Sequence, residues 1–164
     1  MTGPSDPIRL EPDFETSWPG AQRSATEVVL NLGRAGETVG AMVDQVVRRH
    51  GVPSRTALVV LEILRGSDEP LTPSQIAQRS FVGGSTLSGV FTTLQRHGLV
   101  ERMRSAADGR SFRLTITPEG IRTVESALLD LHRAEAEWVS GLSAKEREAL
   151  IRGLARIPAR RAAD

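Results

Sequence analysis

At 164 residues the chain is long enough for one ordinary domain with a sizeable core and too short for two large ones. Hydrophobic residues make up 39%, charged residues 25% and aromatics only 4%, a composition that fits a soluble, mostly helical protein and excludes a disordered or strand-rich one. The absence of cysteine removes disulfides, thiol redox chemistry and Cys-ligated zinc, while the formal net charge of +1 excludes nothing until it is followed along the chain.

Residues 1–20 hold four of the nine prolines, two glycines and four acids, and are expected to form a flexible N-terminal tail in which only Phe14 and Trp18 invite packing. From Ala21 to His50, Val28, Leu32, Ala35, Val39, Met42, Val43, Val46 and Val47 recur mostly at steps of three and four, marking a long helix with one apolar stripe. Gly33, Gly36 and Gly40 each weaken it by up to about 1 kcal/mol relative to Ala, so it needs tertiary or partner contacts. Close helix approach is one use for these glycines. Gly51 and Pro53 then break the chain. Ser54 caps a second helix over residues 55–65, with Leu58, Leu61 and Leu64 on one face and Gly66 at its end.

Thr72, Pro73 and Gln75 form a capping-box pattern for a short supporting helix through Ser80. Gly83-Gly84 makes a turn, and residues 85–97 give the next helix, with Leu87, Val90, Phe91 and Leu94 turned inward. Left outside are Ser85, Thr86, Ser88, Gly89, Thr92, Thr93, Gln95 and Arg96, a small, polar, acid-free face that can approach base edges without clash or repulsion. A merely solvated helix more often carries Glu and Lys. Gly98 ends the helix, and LVERMR and SFRLTIT make two strands joined by SAADG, with Arg102 and Arg104 on one face and Asp108, Gly109 and Arg110 at the tip. Helix, turn, helix and β-wing in this order suit a device that holds one helix in a major groove while a loop reaches the neighbouring backbone or minor groove.

Thr117-Pro118-Glu119 supplies cap, first-turn proline and N-terminal acid for a third long helix. Its Ile121, Val124, Leu128, Leu131, Trp138 and Leu142 alternate at threes and fours, interrupted at Glu135, as a coiled-coil-like seam does. Ser143 and Glu146 form another capping box, and Leu150, Ile151, Leu154 and Ile157 mark a last helix ending at Pro158.

The charge is unevenly placed. Residues 1–71 carry seven Arg against ten acids, residues 72–118 six Arg against two acids, and residues 119–164 eight of each sign. The positive stretch coincides with the recognition helix and wing, as phosphate binding requires, although a solvated basic face gives the same count. Of the 21 basic side chains 20 are Arg, so nearly every candidate phosphate contact comes from a planar fork of donors. No run of 18 apolar residues exists, and the N-terminus lacks a basic start and apolar centre, so a cytoplasmic protein without a membrane partner is expected. No nucleotide-binding, zinc-protease or nucleophile-elbow motif occurs, so an enzyme is not expected. The pair His132 and Glu135 is too thin for a metal site, and no metal or cofactor is expected.

The layout resembles the MarR family of bacterial transcriptional regulators over about residues 21–157. The most specific part, LQRHGLVERMRSAADGRSFRLTITPEG, is similar to that family's recognition-helix end, GLVER strand, D-x-R wing tip and L-T-x-x-G helix start, the last fitted by Leu114-Thr115 and Thr117 to Gly120 with one residue pair shifted. The resemblance implies a homodimer whose first and last two helices interlock, with Val28, Leu32, Val39, Leu128, Leu131, Trp138, Leu142, Leu150 and Leu154 at the interface. It also implies two recognition helices in successive major grooves of a pseudo-palindromic operator, and Arg110, oriented by Asp108, in or beside the minor groove. Many members respond to small lipophilic or phenolic anions. The ligand-binding residues stay unassigned here, since Met42, Val46, His50 and Trp138 serve equally well as core or interface.

The expected fold is therefore mainly α with a small β-wing: a winged helix-turn-helix core flanked by N- and C-terminal dimerisation helices. One structural domain would comprise the tail (1–20), the first dimerisation helix (21–53), the DNA-binding lobe (54–117) and the last dimerisation helices (118–164). The expected function is a homodimeric, sequence-specific DNA-binding regulator, a repressor relieved by a small-molecule effector. Its contacts to double-stranded DNA would come from Thr72, Ser74, Gln75, Ser85, Thr86, Ser88, Thr92, Thr93, Arg96, Arg102, Arg104, Asp108 and Arg110. The alternative is a winged-helix protein-interaction module without specific DNA binding, which calls for an apolar or acidic recognition face.

Overall fold

The computed structural model describes residues 6–80, 84–104 and 112–157. In chain order these form α1 (Phe14–Ser17), α2 (Arg23–Arg49), α3 (Arg55–Arg65), α4 (Pro73–Ser80), α5 (Gly84–Arg96), β1 (Val100–Arg104), β2 (Phe112–Ile116), α6 (Pro118–Trp138) and α7 (Ala144–Leu154). The helix starts follow the polar residues expected of them. Ser54 accepts a hydrogen bond from the Ala57 amide at 3.1 Å, Thr117 accepts one from Gly120 at 2.9 Å, and Ser143 and Glu146 close a reciprocal capping box.

Helix α3 is the centre of the core. Its Leu58, Val60, Leu61 and Leu64 are buried against Val46 and Val47 of α2, Ile76 of α4, Leu87 and Leu94 of α5, Leu114 of β2 and Val124 of α6. Fully burying each such side chain contributes about 1.5–3 kcal/mol, so this one cluster fixes the packing of the lobe on the long helices. Three ion pairs brace the same helices, Arg55 with Asp44 (α3 to α2), Arg65 with Glu125 (α3 to α6) and Arg49 with Asp130 (α2 to α6), and His50 hydrogen-bonds the same Asp130. Arg55 lies across Gly40, where a Cβ would stand 2.8 Å from its Nη1, so that glycine serves this joint. Around Gly33 and Gly36 there is open space.

The strands pair antiparallel with Val100 opposite Ile116, Arg102 opposite Leu114 and Arg104 opposite Phe112. An unexpected partner occupies the other edge of β2. Leu71 and Leu114 exchange backbone hydrogen bonds of 2.9 and 2.8 Å, so the residue preceding the α4 cap forms an isolated bridge on the wing.

Three expectations need correction. The tail is not free along residues 6–20: Ile8 pairs with both ends of the Asn31 amide at 2.9 and 3.0 Å, the Leu10 amide donates to Glu27 at 3.0 Å, and α1 follows. Side-chain capture of backbone groups holds this strap on α2, and hydropathy does not register such capture. The seam of α6 is filled within the chain only in its middle: Val124 is buried and Leu128 and Leu131 pack on the core, while Ile121 and Trp138 stay exposed. The long helix runs beside α2 and α3, so its apolar stripe meets them first. Finally, the L-T-x-x-G helix start falls unshifted on Ile116-Thr117-Pro118-Glu119-Gly120: Thr117 is the cap, and Gly120 lies against the Leu99 carbonyl.

Large apolar side chains remain exposed in two regions. One is the N-terminal half of α2, with Val28, Val29 and Leu32; the other is the end of α6 and α7, with Trp138, Leu150, Ile151 and Leu154.

Candidate nucleic-acid interface

What α5 buries decides what it shows. Leu87, Phe91 and Leu94 are buried and Val90 half-buried, so Ser88, Gly89, Thr92, Gln95 and Arg96 stand exposed on the opposite face. Thr86 and Thr93 lie to one flank, where they line a shallow groove with Pro53, Ser54, Ala57 and Val90. Ser85 is within α5 and Arg104 within β1. Asp108 and Arg110, like the turn residue Gly83, fall outside the described residues.

Two of the threonine hydroxyls are already engaged along the helix. Thr92 Oγ1 donates to the Ser88 carbonyl at 3.2 Å and Thr93 Oγ1 to that of Gly89 at 2.9 Å. Both side chains therefore offer lone pairs and methyl groups as they stand, and would have to turn to donate to a phosphate. At the start of α4, Thr72 and Gln75 engage one another: the Thr72 amide donates to Gln75 Oε1 at 2.8 Å, and the Gln75 amide to Thr72 Oγ1 at 3.3 Å. Ser74 beside them is exposed.

The basic character is carried by exposed guanidinium groups on four elements: Arg79 of α4, Arg96 of α5, Arg102 of β1 and Arg113 of β2. Arg113 donates to the Pro70 carbonyl at 2.9 Å, tying β2 to the turn before α4. The Arg102 guanidinium lies over the Phe112 ring, 3.5 Å from its centroid. Arg79 and Arg113 were absent from the expected contacts, and the excess positive charge of residues 72–118 was the signal for both.

Two acids of the long helices are neutralised in the joints, whereas Asp68 and Glu69 line the same hollow as Gln75, Arg79 and Arg113. Asp44 is held below the ordinary Asp range by the hydrogen bonds from Arg55, at 2.6 and 2.5 Å. Asp130 is held low first by His50, 2.9 Å away, and then by Arg49. Among the described residues, no three His, Asp or Glu side chains gather as a metal ion would need, and no helix is long and apolar enough to cross a membrane.

Fold and site together define a winged helix-turn-helix protein: a capped supporting helix, a second helix with a small polar face and a two-stranded wing, preceded and followed in the chain by long helices that contact one another. The MarR family model matches residues 50–111. PecS, an HTH-type transcriptional regulator of Dickeya dadantii, is 24% identical over 131 residues, or 79% of each chain. BpsR of Bordetella bronchiseptica, whose structure concerns the regulation of DNA binding by 6-hydroxynicotinic acid, superposes with a TM-score of 0.68 at 24% identity over 80% of this chain and 98% of BpsR. S. aureus MepR, solved as a complex with DNA, gives 0.69 at 24% over 77% and 92% of the two chains. Residues 50–111 thus match the MarR family model, and the chain as a whole shares the winged-helix fold of these solved regulators.

Proposed function

We propose that the chain is a homodimeric, sequence-specific DNA-binding transcriptional regulator acting in the cytoplasm, a repressor whose grip on DNA is relieved by a small-molecule effector. The observation that carries the reading is the outer face of α5, exposed, acid-free and built from Ser88, Gly89, Thr92 and Arg96, in the one stretch of the chain with excess positive charge. An apolar or acidic face, as a protein-interaction module would use, is not what this helix presents.

In this reading Ser85, Ser88, Thr92 and Arg96 meet the major groove, with Thr86 and Thr93 on the flank. Thr72, Ser74 and Gln75 approach the backbone beside α5, and Arg102, Arg104, Asp108 and Arg110 serve the wing. Residues 21–53 and 118–164 would form the dimer around the lobe at 54–117. The bare patches at Val28, Leu32, Trp138, Leu150 and Leu154 support a second copy as their cover, with Val39 and Leu142 at its margin. Leu128 and Leu131 drop out of the proposed interface because the chain's own core uses them. MepR and BpsR support DNA and a small effector as partners.

The test is selection of duplexes from a random pool, followed by anisotropy titration of the selected and a scrambled duplex at several salt concentrations. Preference for the selected duplex, a steep salt slope and two subunits per site are expected. Absence of binding at low salt would put the protein-interaction module in its place.

A further inference from the structure

We infer that Phe112 is a positioning residue for DNA binding: its ring holds the Arg102 guanidinium in a set plane at the root of the wing, ready for a DNA phosphate. The inference rests on the DNA-binding function proposed above.

The register makes the pair possible. Arg102 stands opposite Leu114 and Arg104 opposite Phe112, so Arg102 and Phe112 are diagonal neighbours on one face of the hairpin. Long and aromatic side chains reach one another at that spacing. This face leaves the core step by step. Val100 and Leu114 are buried, Phe112 is half-buried on the edge of the core, and Arg102 is exposed. Phe112 thus has one side on the hydrophobic cluster and the other available to the cation above it.

The guanidinium carbon stands over the ring, 3.5 Å from its centroid, so close that an edge-on group would press a nitrogen inside van der Waals contact and a roughly flat arrangement follows. Its N–H groups all lie in the guanidinium plane, so the ring occupies a face and leaves the donor edges untouched. No hydrogen bond or ion pair to a described residue uses those donors. Three other arginines of the lobe are tied, Arg113 to the Pro70 carbonyl, Arg65 to Glu125 and Arg55 to Asp44; Arg79 and Arg96 also keep their donors free of described residues, but Arg102 is the one seated on a ring among the described residues. Arg102 is therefore an immobilised cation with its forked edge unspent, in the positive stretch of the chain. Holding a rotamer-rich side chain in place before the ligand arrives lowers the ordering cost of binding. A leucine at 112 would fill the same edge of the core without a ring face for the cation.

The experiment uses the full-length chain and the fluorescein-labelled duplex it selects from a random pool. Wild-type binding to that duplex tests the function. The inference is tested by Phe112→Leu, Phe112→Trp, Arg102→Gln and the double variant Phe112→Leu/Arg102→Gln, each titrated over a range of salt. Arg102→Gln should weaken binding about tenfold and reduce the salt slope by about one. Phe112→Leu should weaken it about threefold with the wild-type slope, Phe112→Trp should bind within about twofold of wild type, and the double variant should match Arg102→Gln alone. A purely structural role for Phe112 would instead give losses that add in the double variant; that result, or wild-type affinity for Phe112→Leu, overturns the inference. Should Phe112→Leu fail to fold, Phe112→Trp and Phe112→Met against Arg102→Gln carry the same test, with Met expected to lose the coupling and Trp to keep it.

Discussion

The backbone carbonyl of Leu99 lies where a side chain at position 120 would begin, far closer than carbon and oxygen can approach, so only glycine fits there. The same carbonyl accepts the Thr117 amide at 3.1 Å, and Thr117 Oγ1 donates to the Gly98 carbonyl at 2.8 Å. The end of the recognition helix is thereby clamped to the start of α6. Gly120→Ala should cost about 2–3 kcal/mol in urea unfolding, because backbone must shift to admit the methyl group. Gly89→Ala, with open space around it, should be neutral or stabilising by up to about 1 kcal/mol. Equal stabilities for the two variants would contradict the clamp.

The His50 to Asp130 contact makes an acid-side prediction. Asp130 binds its proton less tightly in the folded chain, owing first to the His50 hydrogen bond and then to Arg49. Its stabilising effect is complete above the unfolded value near 3.8 and fades as pH falls through the lower folded value. Asp130→Asn should therefore melt below wild type at about pH 6, with the gap between the two midpoints narrowing as pH falls below the unfolded value near 3.8. A constant gap across that range would show that Asp130 acts by packing alone.

The N-terminal strap gives a local measurement. Removing the Asn31 amide leaves the Ile8 N–H and C=O without their partners on α2. In hydrogen–deuterium exchange, Asn31→Ala should speed exchange at Ile8 roughly five- to tenfold while the α3 core stays protected. Unchanged exchange at Ile8 would mean that the strap is held elsewhere, at Glu27 in the first instance.

The bare patch on α2 predicts association. Leu32→Glu places a charge among Val28, Val29 and the open surface of Gly33 and Gly36, without touching the lobe's core. Sedimentation at micromolar concentration should find wild type dimeric and the variant shifted to monomer. A variant that stays dimeric would move the interface away from this face.

In the segment that links β1 to β2 in the sequence, Arg110→Ala should weaken binding to the selected duplex more than tenfold and leave the dimer intact. An unchanged dissociation constant would remove that segment from the mechanism.

The elements were legible in the sequence because their signals are local. Ser54, Thr117 and Ser143 cap as their neighbours announce, and the apolar steps of α3 and α5 point where they should. What escaped depends on pairs distant along the chain. Ile8 with Asn31, Leu71 with Leu114 and Arg102 with Phe112 leave no periodicity, since each rests on a meeting that only the folded chain arranges. The α6 stripe misled for a related reason. Heptad spacing tells that Val124, Leu128 and Leu131 want cover, but not whether α2 and α3 or another molecule supplies it. For the recognition face, side-chain chemistry was readable, but not the engagement of the Thr92 and Thr93 hydroxyls along the helix.

The Leu71 bridge gives the wing a mechanical role beyond contact. Leu71 is joined to β2 by two hydrogen bonds, and Thr72, the next residue, caps the supporting helix. A pull on β2 is passed through one peptide unit to the first turn of α4, while β1 continues from the recognition helix through Gly98 and Leu99. Hairpin and helix pair thus form a closed frame with load paths at both ends. A force that lifts the wing from a duplex would tilt both helices with it, so the lobe would seat and release as one rigid piece.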